Sequence, residues 1–158
     1  MVLNGVKWCK NRREDVTLTG TFFHNVDKKD RIFIPAKIRE ELGLSFVMSI
    51  PFDGQPCISI YTKEYWDSMK QRIDALPYQE KMLIMRVIGP LTDDNTVCDA
   101  QGRVHIPAEL KKHAGLSDKV CIIGTSETLE IWNEETWQQR KAKEESEGLA
   151  NILGRISL

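Results

Sequence analysis

Asp27-Lys28-Lys29-Asp30-Arg31-Ile32-Phe33-Ile34-Pro35-Ala36 returns later in the chain as Asp99-Ala100-Gln101-Gly102-Arg103-Val104-His105-Ile106-Pro107-Ala108. The two stretches lie 72 residues apart, and the register holds through Gly43-Leu44-Ser45 and Gly115-Leu116-Ser117. The echo resumes one residue out of step, pairing Ile60-Tyr61 with Ile131-Trp132 and Trp66 with Trp137. An internal repeat sets the architecture before any other reading. Two copies are too few for a solenoid. They fit a two-fold pseudo-symmetric body, a natural match for a pseudo-symmetric ligand such as duplex DNA.

Each copy reads alike. A strand (Thr21 to Val26, Asn95 to Cys98) leads into a tight polar turn (Asp27 to Asp30, Asp99 to Gly102). Gly102 takes a positive φ without cost, and Asp30 is among the few residue types that tolerate one. A short strand follows, Arg31 to Ile34 or Arg103 to Ile106. Pro35 and Pro107 suit the first turn of a helix, where the missing N–H does no harm. Ile38 and Leu42 lie one turn apart on that helix, as do Leu110 and Ala114. Gly43 and Gly115 stop the helices, with Leu44 and Leu116 as the apolar contacts that accompany such caps. A hairpin then pairs Phe46–Ile50 with Cys57–Tyr61, and in the second copy Lys119–Ile123 with Leu129–Trp132. Thr62 and Asn133 are good N-caps for further helices. Trp66, Met69 and Ile73 share one helical face, and Pro77 opens a connector helix carrying Met82, Met85 and Ile88. The C-terminal end reads as a helix that frays over 141–158.

With 158 residues, 41% hydrophobic and 28% charged, the composition is that of an ordinary globular chain. No apolar run approaches the roughly 20 residues that a membrane span needs. Cys9, Cys57, Cys98 and Cys121 are widely spaced and form no C-x-x-C pair, so reduced thiols in a cytoplasm are expected rather than zinc. No cofactor is expected. The net charge of −1 argues against a generic polyanion binder. Its distribution matters more: residues 127–147 hold seven acids against three basic residues, while Lys28, Lys29, Arg31, Lys37 and Arg39 cluster in the first copy. A local basic face on a neutral protein can still meet phosphates.

The recurring polar element is Asp-x-x-x-Arg across a turn. In a structural reading the Asp accepts turn N–H bonds and pairs with the Arg to pin the hairpin. In a functional reading the Asp holds the Arg so that its remaining N–H groups meet phosphates or guanine edges. The two are not exclusive.

Asp27-x-x-x-Arg31-x-x-Ile34-Pro35-Ala36-Lys37-x-Arg39, Asp99-x-x-Gly102-Arg103-x-x-Ile106-Pro107, and His113-Ala114-Gly115-Leu116 followed by Ile131-Trp132 resemble the MraZ family. These are bacterial transcriptional regulators with two SpoVT/AbrB-type units in tandem, and the resemblance covers about residues 18 to 140. It implies a mixed β/α fold: a swapped-hairpin AbrB-like β-barrel built from the two tandem repeats, with short connecting and C-terminal helices. The corresponding organisation is an extension over 1–17, unit 1 over 18–66, a helical connector over 67–93, unit 2 over 94–137, and a C-terminal helix and tail over 138–158. The resemblance also implies ring-like homo-oligomers, cytoplasmic and nucleoid-associated. They bind direct repeats in double-stranded promoter DNA upstream of the division and cell-wall gene cluster, usually repressing their own operon. The implied DNA-facing residues are Arg31 and Arg103, with Lys28 and Lys29 beside them and Asp27 and Asp99 holding the arginines. Two departures stand out. Asp30 replaces the usual Gly of the first motif, which is expected to weaken or reshape the contact at Arg31. Ala100 and Gln101 replace Lys28 and Lys29 in the second copy, so the copies are expected to contribute unequally.

An AbrB-type antitoxin, or another DNA-binding interaction module, is the alternative; two units in one chain argue against it, while Ile152, Leu153 and Ile156 offer something to dock. An enzyme is not expected: there is no phosphate loop, no G-x-S-x-G and no metal-spaced ligand set, and His24, His105 and His113 are isolated. Residues 1–16 show no periodicity. They are expected to be dispensable and disordered, with a true start near Val16; the rival reading is a basic arm carrying Lys7, Lys10, Arg12 and Arg13.

Overall fold

The computed structural model describes residues 17–156, and the expectations for residues 1–16 lie outside them. The first unit runs β1 (Leu18–Asn25), β2 (Arg31–Phe33), α1 (Ala36–Leu42), β3 (Phe46–Ser49), β4 (Ile58–Thr62) and α2 (Lys63–Asp74). Helix α3 (Tyr78–Ile88) and a 3-10 turn at Gly89–Leu91 connect the units. The second unit repeats the order as β5 (Asp93–Thr96), β6 (Arg103–His105), α4 (Ala108–His113), β7 (Lys119–Ser126), β8 (Thr128–Asn133) and α5 (Glu134–Ser146).

The units exchange strands. β1 of the first ladders along the whole of β7 of the second, and β5 of the second pairs with β3 of the first. β4 and β8 join the two hairpins, giving one antiparallel six-stranded sheet in the order β1-β7-β8-β4-β3-β5. β2 and β6 form a separate two-stranded ribbon. Among the described residues the large sheet is open, with β1 and β5 at its edges, so its ladders close no barrel. At one edge, β5 is short, carries Asp93 and Asp94, and is bulged against β3 between Phe46 and Met48.

Register locates the pseudo-two-fold axis. In the ribbon Ile32 lies opposite Val104, its own equivalent. Between the hairpins Ser59 lies opposite Glu130, again its own equivalent in the one-residue-shifted part of the repeat. An antiparallel pair of equivalent residues must straddle the axis, so the axis passes through both pairs. The core fills the space around it. Ile32, Ile34, Val104 and Ile106 from the ribbon segments and Ile58, Ile60, Leu129 and Ile131 from the sheet are all fully buried. Each such side chain contributes roughly 1.5–3 kcal/mol of transfer free energy.

Local signals set the helix ends. Thr62 Oγ1 accepts from Tyr65 N at 3.1 Å, and Asn133 Oδ1 accepts from Thr136 N at 3.2 Å, as expected of N-caps. Pro35 and Pro107 stand one position earlier than expected. They are themselves the N-caps, with ψ of 144° and 141°, and their carbonyls accept from Arg39 N and Lys111 N. Gly115 N donates to Lys112 O and Leu116 N to Lys111 O, the paired C-terminal bonds that bury Leu116. The first copy departs here: Gly43 turns the chain out with φ 86° and ψ −173°, and Leu44 is 95% exposed instead of packed. The C-terminal end also departs. Gly148 in the left-handed region breaks the helix after α5, and a separate short α6 (Leu149–Gly154) follows. No helix among the described residues is long and apolar enough to cross a membrane.

Candidate nucleic-acid interface

The two repeated turns fold identically. Asp27 Oδ1 accepts from Lys29 N at 2.8 Å and Arg31 N at 2.9 Å, while Arg31 Nε donates to Asp27 Oδ2 at 2.7 Å. Asp99 Oδ1 accepts from Gln101 N at 3.0 Å and Arg103 N at 2.9 Å, and Arg103 Nε donates to Asp99 Oδ2 at 3.0 Å. One carboxylate thus closes the turn and orients the guanidinium. Burial raises Asp27, but the Arg31 N–H, the Arg31 guanidinium and the Lys29 N–H together hold it below the usual carboxylate range. At Asp99 the Arg103 N–H is the largest influence and the net shift is also downward. Both aspartates stay ionised wherever the protein is folded near neutral pH.

The turns are wired to each other as well. Ile106 N donates to Asp30 O at 2.7 Å, and Ile34 N donates to Gly102 O at 2.9 Å. Within the two turns, Asp30 and Gly102 take positive φ, at 56° and 80°. The arginines also converge, with Arg31 Nη1 3.9 Å from Asp99 Oδ2.

The register of the ribbon decides which side chains face outward. Arg31 opposes His105, and Arg103 opposes Phe33. Since Ile32 and Val104 point into the core, strand alternation puts Arg31, Phe33, Arg103 and His105 together on the outer face. Their arginine side chains are 26% and 33% exposed; Phe33 and His105 are exposed. Lys28 and Lys29 stand exposed in the first turn, Ala100 and Gln101 in the second. Arg103 Nη2 donates to Gln101 Oε1 at 3.2 Å, a contact that Lys29 cannot reproduce for Arg31. The two turns thus differ in geometry at Gln101 and Lys29.

All six residues singled out in the sequence, Asp27, Lys28, Lys29, Arg31, Asp99 and Arg103, come together around this ribbon. Sequence reasoning did not single out Phe33 and left His105 open between a packed and a surface place. The signal was present in the alternation of the short strands, but the buried side is set by the partner strand. Phe33 is further framed by His24, with ring centroids 5.4 Å apart, and by the Arg39 guanidinium 5.7 Å from its ring. Burial lowers His24, which favours its neutral form.

A tandem β/α protein with interlocked turns and a two-arginine ribbon astride its pseudo-dyad is the class that this fold and site define. Residues 17–83 and 93–156 match the family model of the MraZ protein, whose description adds "antitoxin-like". The Transcriptional regulator MraZ of Lactiplantibacillus plantarum is 41% identical over 122 residues, covering 76% of this chain and 84% of its own. That of Limosilactobacillus reuteri is 38% identical over 124 residues, covering 77% and 85%. That of Moorella thermoacetica is 32% identical over 139 residues, covering 85% and 94%. The chain belongs to the MraZ family.

Proposed function

We propose that this chain is a sequence-specific DNA-binding transcriptional regulator, not an enzyme. In this reading it binds repeated promoter boxes upstream of its own division and cell-wall gene cluster and represses it from the cytoplasm, associated with the nucleoid. The observation that carries the reading is the ribbon's outer face. A two-stranded antiparallel ribbon fits the major groove. Arg31 and Arg103 spend Nε on Asp27 and Asp99; Arg31 Nη2 and Arg103 Nη1, and with DNA in place the Nη groups now turned to Asp99 and Gln101, serve phosphates or guanine edges. Lys28 and Lys29 add phosphate contacts on one side of the dyad, and Phe33 offers an apolar contact for a thymine methyl group. The exchanged strands are taken as the swapped-hairpin arrangement that the family resemblance implies.

The net charge of −1 gives little long-range attraction, so affinity comes from several modest sites acting together. This favours a ring-like homo-oligomer on direct repeats. A gel shift with DNA from directly upstream of the protein's own gene tests the proposal. Binding that falls steeply with salt and collapses when the boxes are reduced to one is expected. Equal affinity for one box and several, or for unrelated DNA, defeats it. The antitoxin-like reading draws support from one place: α6 and the residues after it expose Leu149, Ile152, Leu153 and Ile156, a surface suited to a protein partner. Co-purification of a toxin that shields these residues, without promoter binding, decides for it.

A further inference from the structure

The pseudo-dyad that runs through the ribbon leaves the other side of the core between Ser59 and Glu130. There a cavity of about 430 Å³ opens on the outer face of the large sheet. Strand alternation places Ser59, Tyr61, Thr128 and Glu130 on this face, opposite the buried Ile58, Ile60, Leu129 and Ile131. The β3–β4 loop brings Phe52 and Asp53 over it, and α2 brings Tyr65.

The lining has one chemical character. Phe52, Tyr61 and Tyr65 make an aromatic wall: the Tyr61 and Tyr65 rings stack at 5.4 Å and 9°, and Phe52 tilts against Tyr61 at 6.1 Å. Tyr61 is held protonated, its hydroxyl pushed up to about 12 chiefly by burial. Two carboxylates complete the site. Asp53 Oδ1 accepts from Gln55 N, and Glu130 Oε1 accepts from Trp132 Nε1 at 3.1 Å. Burial and then the charge of Asp53 push Glu130 up, against the Trp132 bond. Among the described residues no Lys or Arg forms an ion pair with either carboxylate; Arg140 is turned to the Trp132 ring, 5.9 Å from its centroid. A half-buried carboxylate that lines one depression with aromatic rings and a second acid is short of a cation.

We propose that this depression is a binding site for an organic cation of the alkylammonium or guanidinium class, with Glu130 as its counter-ion and Phe52 and Tyr65, the more exposed rings, as its aromatic walls over the buried Tyr61. Charge and aromatic faces together select such ions over hydrated metal ions. Among the described residues no group of three or more His, Cys, Asp or Glu could hold a metal. The site lies on the same axis as the ribbon, so a ligand there touches the β4–β8 seam that joins the two units.

The test is a titration of the full chain with agmatine, and separately with tetramethylammonium, followed by the indole Nε1–H resonance of Trp132. That proton is donated to Glu130, so it reports the site directly. A saturable shift is expected, weakened roughly tenfold or more in E130Q, as for loss of a charged partner. E145Q, on the exposed face of α5, should leave the titration unchanged. E130Q preserves an acceptor oxygen, and an unchanged pattern of the other backbone and indole resonances in the absence of ligand reports an intact fold. No saturable shift with either probe in the millimolar range, or equal affinity in E130Q, overturns the proposal. It fails or stands independently of promoter binding.

Discussion

Lys111 of the second unit closes on Asp30 of the first, Nζ to Oδ1 at 2.7 Å. The equivalent pair across the pseudo-dyad is Arg39 and Gly102, and it is solved the other way. A Cβ on Gly102 would lie 2.6 Å from the Arg39 guanidinium, so a side chain there would have to displace Arg39 and would be strained at φ 80°. The Asp30 carboxylate is engaged by Lys111, and Arg31 keeps its bond to Asp27.

These opposite solutions give an asymmetric pair of mutants. G102A places a side chain at φ 80° against Arg39 and should cost on the order of 1–3 kcal/mol in urea denaturation. D30G removes a half-exposed ion pair but relieves a positive φ, so its effect should stay within about 1 kcal/mol. Equal costs would show that the turns are not specialised in this way.

R31A and R103A should each weaken promoter binding by about 1–3 kcal/mol per contact, multiplied over the subunits engaged. Melting temperatures should stay near wild type, since each Asp keeps its backbone N–H partners. Replacing Lys28 or Lys29 should lower the salt slope by about one each without changing sequence preference. Unfolding of either arginine variant would make the Asp–Arg pair chiefly structural.

Acid should release the turns. Asp27 and Asp99 have folded values below their unfolded ones, so their contribution is present above the unfolded value and disappears as pH falls through the folded values. The melting temperature should therefore decline below about pH 4, and less steeply in the D27N/D99N variant. Glu130 has the opposite sign. Its folded value is raised, so the unliganded fold is favoured below the unfolded value and loses that advantage as pH rises through the folded one. E130Q should consequently melt higher than wild type at neutral pH. A lower melting temperature would mean that the ionised carboxylate is stabilising.

Leu44 and Leu116 occupy equivalent positions at 95% and 8% exposure. L116A should cost about 2–5 kcal/mol, as for truncation of a buried leucine. L44A should stay within about 0.5 kcal/mol of wild type in the isolated chain. With Val97, Arg39 and Cys98 it lines an open surface groove. If that groove is buried between subunits, sedimentation of L44A will show smaller species.

What the sequence made legible is local or repeated. The turns, the capping by Thr62 and Asn133, and the paired cores of Ile38/Leu42 and Leu110/Ala114 follow from spacing and from one-residue chemistry. What it hid is long-range. The exchange of β1 and β5 between units depends on pairing partners about a hundred residues apart for β1 and β7, which periodicity cannot name. Lys111 and Asp30 are 81 residues apart, and neither signals the other. The outward face of Phe33 and His105 waits on knowing that Ile32 meets Val104. Leu44 looks the same as Leu116 in the sequence, whereas the backbone at Gly43 turns the chain outward and leaves Leu44 exposed.

The self-facing pairs on the axis carry an evolutionary consequence. Two separate identical chains must set the same residue against itself there, and a glutamate so placed would meet another glutamate. Joining the two halves in one polypeptide removes that constraint, because Ser59 and Glu130 are encoded independently. Drift at such positions is free to create a chemistry that no symmetric pair of subunits can hold.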